Sequence, residues 1–376
     1  MIYLDNAATT LPDEKAVKTA LELNEKSFFN PSALYHGGIA SANEIKQAKN
    51  SLLNVLGLSS TDYEVIFTSG GTESDNMAIF GVNAHGTFIT DEGEHAAVYN
   101  SFKTLKQDGR DVVFCKLNEY GGVNVNDLID KIKTFKPSFV SIMHVNNETG
   151  AINDVSLIAD EIKKIDRKII FHSDGVQAFG KIPFNFSKNI DMYSISAHKI
   201  NGLKGVGALI KRKNLSIKPI IIGGGQENGL RSGTENLFGI KVLEICAQNK
   251  YSQIKANYEK IQNVRQIFFD GLNKDIFTII SGVNSSPYVL SVATPGLRGE
   301  TVMHCLENKD IIVGNGSACS SKARISRVIS ACGKDKAISE GVIRISFSSN
   351  TTKDEAIEAV NIINETVYDL KRMMSK

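Results

Sequence analysis

The segment "DMYSISAHKING", Asp191–Gly202, places a hydroxyl, an imidazole and an amine (Ser196, His198 and Lys199) where an apolar run ends. Four other apolar runs finish in the same way. "EVIFT" is followed by "SGGTESDN" with Thr72, and "TFIT" by "DEGEHAAV" with His95. "SFVSIMH" leads to Asn147, and "KIIFHSD" ends on Asp174 with Gln177 three residues on. One polar strand end says little, since loops are polar anyway. Five with this mixture point to a ligand crevice, which in open α/β sheets lies outside the carboxyl ends of the strands.

These residue types suit one ligand. "SGGTES" offers backbone N–H groups and a hydroxyl at a helix start, a good phosphate seat, and Ser196 and His198 add two donors. A carboxylate at Asp174 can keep a pyridine nitrogen protonated, and a desolvated Lys199 amine can form a Schiff base with an aldehyde. Together they describe pyridoxal 5'-phosphate (PLP). Neither "SGGTE" nor "GGGQENG" matches GxGxxG or the GxxxxGK[ST] of a P-loop, which argues against a nucleotide. His36, His85 and His172 read as structural, with His36 the one that could line the cleft.

Two further residues stand out. Cys319 lies among small polar residues in "VGNGSACSSKA", an environment in which a thiol is either accessible and reactive or simply a loop residue. Cys115, Cys246, Cys305 and Cys332 sit among apolar neighbours and read as inert core. Arg344 interrupts the strand "GVIRISF"; a buried arginine there needs an anion, either a substrate carboxylate or a structural partner.

The elements that must hold these groups follow from the hydrophobic pattern. Short β-rich runs between Glu64 and Lys211 alternate with helical periods, and several are apolar at consecutive positions, as in a sheet buried on both faces. The reading is an α/β unit with a mainly parallel sheet. An amphipathic helix over Ile39–Leu56 precedes it. A long helical stretch, Leu237–Asn273, leads to strands near Phe277–Ser281, Tyr288–Ala293 and Val342–Phe347, with helices near Glu300–Asn308 and Lys353–Met374, forming a smaller α+β unit.

Composition excludes several classes. Hydrophobic residues make up 42% and charged ones 22%, with a net charge of +2. This is globular, and without blocks of like charge it predicts neither nucleic-acid nor membrane binding. No apolar run approaches the ~18 residues that span a bilayer. The N-terminus shows no signal-peptide pattern, and the odd number of widely spaced cysteines argues against a disulfide framework, so a cytoplasmic location is expected. No spacing suggests a metal site.

Nearly end to end, the chain resembles the NifS/IscS cysteine desulfurases, fold type I PLP enzymes related to the class V aminotransferases. The motifs that carry this are "YLDNAATT", "NPSALYHGG", "FTSGGTESDN", "EHAAV", "SIMHVNNETG", "HSDGVQAFGK", "SAHKINGLKGVGAL", "GGGQENGLRSGTEN", "NGSACSS" and "IRISF". The resemblance implies a homodimer with a large PLP-binding domain over 15–255 and a small α+β domain over 1–14 and 256–376. It assigns Lys199 to the cofactor aldehyde, Asp174 to the pyridine nitrogen, Gln177 to the ring hydroxyl and His95 to ring stacking and proton transfer. Gly71, Thr72, Ser196 and His198 would bind the phosphate, joined by Thr234 of the other subunit. Asn147 and Arg344 would hold the carboxylate of L-cysteine. Cys319 would take the sulfur as a persulfide and pass it to an acceptor for iron–sulfur cluster assembly or tRNA thiolation. The chain departs from the usual pattern at Gly314–Asn315, at Ser348–Asn350, and in the unexpectedly basic "KARISR". Selenocysteine lyase or aminotransferase activity, or a sulfur-relay scaffold, are the alternative functions.

Overall fold

The computed structural model describes residues 1–315 and 325–374; Cys319 lies outside the described residues. The chain opens with β1 (Ile2–Leu4), α1 (Glu14–Lys26) and α2 (His36–Val55). A sheet of seven strands follows: β2 (Tyr63–Thr68), β3 (Phe88–Asp91), β4 (Val112–Cys115), β5 (Phe139–Ser141), β6 (Ile170–Asp174), β7 (Met192–Ser196) and β8 (Gly207–Arg212). Between them lie α3 (Gly71–Gly81), α4 (Ala96–Gln107), α5 (Val125–Phe135) and α6 (Val155–Ile165).

The spatial order is β2-β8-β7-β6-β5-β3-β4. Neighbours from β7 through β4 pair in parallel, while β8 runs antiparallel to both β2 and β7. The apolar faces of β3, β5, β6 and β7 are buried, which accounts for their unbroken hydrophobic runs. The sheet is therefore mainly parallel, as expected. The run read as a strand over 138–144 pairs only as β5, three residues long, before the backbone turns toward Asn147.

The second half begins with α7 (Leu237–Ser252) and α8 (Ile254–Gly271). The single helical stretch expected here is broken at Gln253, whose φ −123° and ψ 14° leave the helical region. Beyond it are β9 (Thr278–Ile279), β10 (Val289–Ala293), α9 (Gly299–Glu307), β11 (Ile311–Val313), α10 (Arg327–Ala331), α11 (Lys336–Glu340), β12 (Val342–Ser346) and α12 (Lys353–Met374). β10 is flanked antiparallel by β9 and β12, and β1 pairs in parallel with β11. Ile2 and Leu4 accordingly share a core with Phe268, Leu290, Ile345 and Ile363, apart from the core under the large sheet.

β1, β11 and the short helices α10 and α11 were not expected from the sequence. Each is short, and its stabilisation comes from partners distant in the chain. Cys115, Cys246 and Cys332 are buried, but Cys305 is only half-buried on α9, so it corrects the expectation of a core thiol. None of the described helices is long and apolar enough to cross a membrane.

Candidate active site

The carboxyl ends of the parallel strands open into a cavity of about 580 Å³. It is lined by Gly71, Thr72, His95, Asn147, Asp174, Gln177, Ser196, His198, Lys199 and Arg344, which sequence reading singled out. Thr234 is exposed and lies away from this lining, and His36 is exposed at the start of α2 rather than in the cleft.

Lys199 ends a single 3-10 turn, Ala197–Lys199, directly after β7. The N-terminal segment is laced over that turn. Thr10 Oγ1 donates to the His198 carbonyl and accepts from the Asn201 amide. Lys199 Nζ donates to the carbonyls of Ala7 and Ala8 at 2.7 and 2.8 Å, so the amine is held at the cavity wall. His198 Nδ1 is 3.1 Å from Thr9 Oγ1, and burial with nearby lysines lowers its pKa to about 4.

Asp174 closes β6. Its Oδ1 accepts from the Val176 amide at 2.9 Å, yet burial raises its pKa to about 6 against the pull of that bond and of Lys199. Asp75 on α3 and Glu94 just before α4 also line the cavity, and burial followed by mutual repulsion among the carboxyls raises both. Such a floor favours a cation placed against it. His95 caps α4, its Nδ1 accepting from the Ala97 amide at 3.2 Å. Burial above all, then Lys199, Arg327 and Arg344, lower its pKa to about 4, so the ring is neutral near pH 7.

Gln177 is oriented from two sides. Its Nε2 donates to the Ala7 carbonyl and its Oε1 accepts from buried Lys181, each at 2.8 Å. The amide therefore keeps its second N–H, with one oxygen lone pair, to offer a ligand. Arg344 is 3% exposed; its Nη2 pairs with Asp5 at 2.7 Å and its Nη1 donates to the Asn147 carbonyl at 2.9 Å. The structural partner left open in the sequence thus exists, in Asp5. Arg344 Nε is buried without a hydrogen bond among the described residues.

Glu148, Ser326 and Arg327 also line the cavity, as does Tyr99. Burial raises Glu148 to about 7, and its Oε2 accepts from Ser326 Oγ. Asp75, Glu94, Glu148 and Arg327 were missed in the sequence because their roles depend on burial and long-range contacts. The one available signal was that three of them flank motifs already singled out: "TESDN", "EHAAV" and "NNETG".

The cavity fits PLP on features of its own. α3 begins at Gly71, after Gly70 at φ 156°, and its first two residues, Gly71 and Thr72, line the cavity. A Cβ on Gly71 would meet Val176 Cγ2 at 2.7 Å, so glycine keeps this approach open. The Ser196 hydroxyl is buried there without a hydrogen-bond partner among the described residues, as a donor awaiting an anion would be. The carboxyl floor at Asp174 suits a pyridinium nitrogen.

Comparison with known proteins agrees. Residues 2–360 match the family Aminotransferase class-V. Cysteine desulfurase IscS of Methanosarcina thermophila is 34% identical over 381 residues, covering 99% of this chain and 93% of that protein. A NifS/IcsS protein homolog of Lactobacillus delbrueckii subsp. bulgaricus is 37% identical over 379 residues, 97% of each chain. A solved NifS-like protein superposes with a TM-score of 0.91 at 32% identity, covering 98% of this chain and 99% of the other. The X-ray structure of a NifS-like protein from Rickettsia africae gives 0.88 at 31% identity, with the same coverage. The chain belongs to the class-V aminotransferase family, among its PLP-dependent NifS/IscS cysteine desulfurases.

Proposed function

We propose that this protein is a PLP-dependent cysteine desulfurase that converts L-cysteine to L-alanine and transfers the sulfur to Cys319 as a persulfide. The observation that carries the reading is the meeting of Lys199, Asp174, His95 and Gln177 around one cavity from three different strand ends. When bound, the cofactor supplies an electron sink for charge developing at the substrate α-carbon. Asp174 holds the ring nitrogen, and Gln177 donates to the ring oxygen. The α3 amides at Gly71 and Thr72, with Ser196 and His198, bind the phosphate.

Lys199 anchors the cofactor in the resting enzyme and, once freed, takes the α-proton at Nζ. His95 lines the cavity where it would face the cofactor ring, and as a neutral imidazole it can accept a proton and pass it on. Arg344 and Asn147 bind the substrate carboxylate, which supplements Asp5 as the partner of the guanidinium. The Cys319 thiolate attacks the substrate sulfur. The Cβ–S bond breaks, Cβ gains a proton, alanine leaves, and the sulfur stays on Cys319.

The same reading places the cofactor unit at 15–255 and the sulfur-accepting unit at 1–14 with 256–376, supported by their separate hydrophobic cores. It further holds that the enzyme is a cytoplasmic homodimer burying on the order of 2,000 Å² or more. Thr234, exposed in its own chain, would then reach the partner's phosphate site. The acceptor is an iron–sulfur scaffold or a tRNA-thiolation enzyme.

The test is Lys199→Ala. It should lose the visible absorbance of lysine-bound cofactor and at least about 100-fold in alanine formation, the low end for a positioned proton acceptor. Alanine released at the wild-type rate would overturn the assignment.

A further inference from the structure

The basic segment "KARISR" ends in Ser326 and Arg327, and both are tied to the cavity lining. Ser326 caps α10, accepting from the Ile329 amide, while its hydroxyl donates to Glu148. Arg327 Nη2 donates to the Glu94 carbonyl at 2.5 Å, across 233 positions of sequence. Its guanidinium carbon lies 3.7 Å from the centroid of the Tyr99 ring. Glu94 and Tyr99 bracket His95, one just before it and one a turn later on α4.

A guanidinium that stacks on an aromatic face while donating in its own plane uses both of its recognition surfaces, a combination lysine cannot reproduce. These contacts connect two ends of the chain's chemistry. One end lies eight residues past Cys319; the other holds the imidazole assigned to proton transfer.

We propose that Arg327 is a positioning residue for sulfur transfer, locking the chain just past Cys319 onto the turn that carries His95. This rests on the desulfurase reading above. Proton removal at the substrate α-carbon falls to Lys199 Nζ, and Arg327 meets the cavity floor through the Glu94 backbone carbonyl and the Tyr99 ring. Sulfur transfer also needs the acceptor thiol to be presented in register with that floor. Loss of the Arg327 contacts should therefore separate the two steps.

The experiment uses the holoenzyme and two readouts: exchange of the L-cysteine α-hydrogen in deuterated buffer, and isotope-labelled sulfur on Cys319. In Arg327→Met, exchange should stay within about threefold of wild type while sulfur transfer falls on the order of 10-fold or more, as misplacement of a reacting group entails. Arg327→Lys keeps the charge and a donor for the Glu94 carbonyl, and should recover part of that loss. Wild-type sulfur transfer in Arg327→Met, equal losses in both readouts, or a lysine variant no better than methionine would each overturn the proposal. A wild type that places no label on Cys319 would instead remove the desulfurase reading itself.

Discussion

The floor of the cavity comes from the ends of β3, β6 and β7 and carries carboxyls and imidazoles, whereas the lining from residues 325–344 carries guanidinium groups. Two of the floor's groups are held locally, while Lys199 and Gln177 are tied to the carbonyls of Ala7 and Ala8 far off in the chain. Asp174 accepts from Val176 and His95 from Ala97, each two residues away. The guanidinium side is held across the chain: Arg344 reaches Asn147 and Asp5, and Arg327 reaches Glu94. The difference separates two tasks. Short-range bonds at strand ends fix Asp174 and His95, the N-terminal segment holds Lys199 and Gln177, and long-range bonds bring the guanidinium groups of the second half of the chain to the substrate.

Removing Arg344 should break the long-range side most severely. Arg344→Ala takes away one side of a desolvated carboxylate pair, typically ~2–5 kcal/mol, so kcat/KM for L-cysteine should fall roughly 30-fold or more, mainly through KM. The variant also leaves Asp5 without its ion pair. Steady-state kinetics with a melting curve separates the two effects. Efficiency within about threefold, with a lowered Tm, would make Arg344 a structural partner of Asp5 alone.

A smaller effect sharpens the account of the floor. His172 lies beneath it, bonded to Ser141 and Ser194, and burial lowers its pKa to about 3. Below pH 6.5 the unfolded chain protonates this imidazole and the native one does not. The unfolded state then binds more protons, so stability falls with acidification until about pH 3. The slope is about 1.4 kcal/mol per pH unit for this group. His172→Gln removes the term, and its stability should fall less steeply than that of wild type between pH 6.5 and 4.5 in denaturant titrations. Parallel curves would show that His172 ionises alike in both states.

The same contrast explains what the sequence could disclose. Lys199, Asp174 and His95 were legible because each follows a buried apolar run within a few residues, and period and position alone place it at the crevice. The mainly parallel sheet was legible for the same reason. β1 and β11 were not, since three-residue strands carry almost no period and exist only by pairing across some 300 residues. Arg327, Glu148 and Asp75 were illegible as site residues because their signal is burial and a distant partner, not spacing. The break at Gln253 was hidden by helical periodicity on both sides of it. Cys305 misled because apolar neighbours on a short helix do not decide which face its thiol takes.

Cofactor chemistry and sulfur capture are separable steps in this enzyme, and Cys319→Ala divides them. The variant should keep the cofactor's absorbance and its spectral response to L-cysteine, because the groups around Lys199 are untouched. It should release almost no alanine, and labelled sulfur should appear on Cys319 of the wild type and on no other residue. The buried thiols Cys115, Cys246 and Cys332, raised by burial to about 11–12, are poor substitutes as nucleophiles. Alanine formed by Cys319→Ala at near the wild-type rate would contradict the account, since the C–S bond would then break without a protein thiol to receive the sulfur.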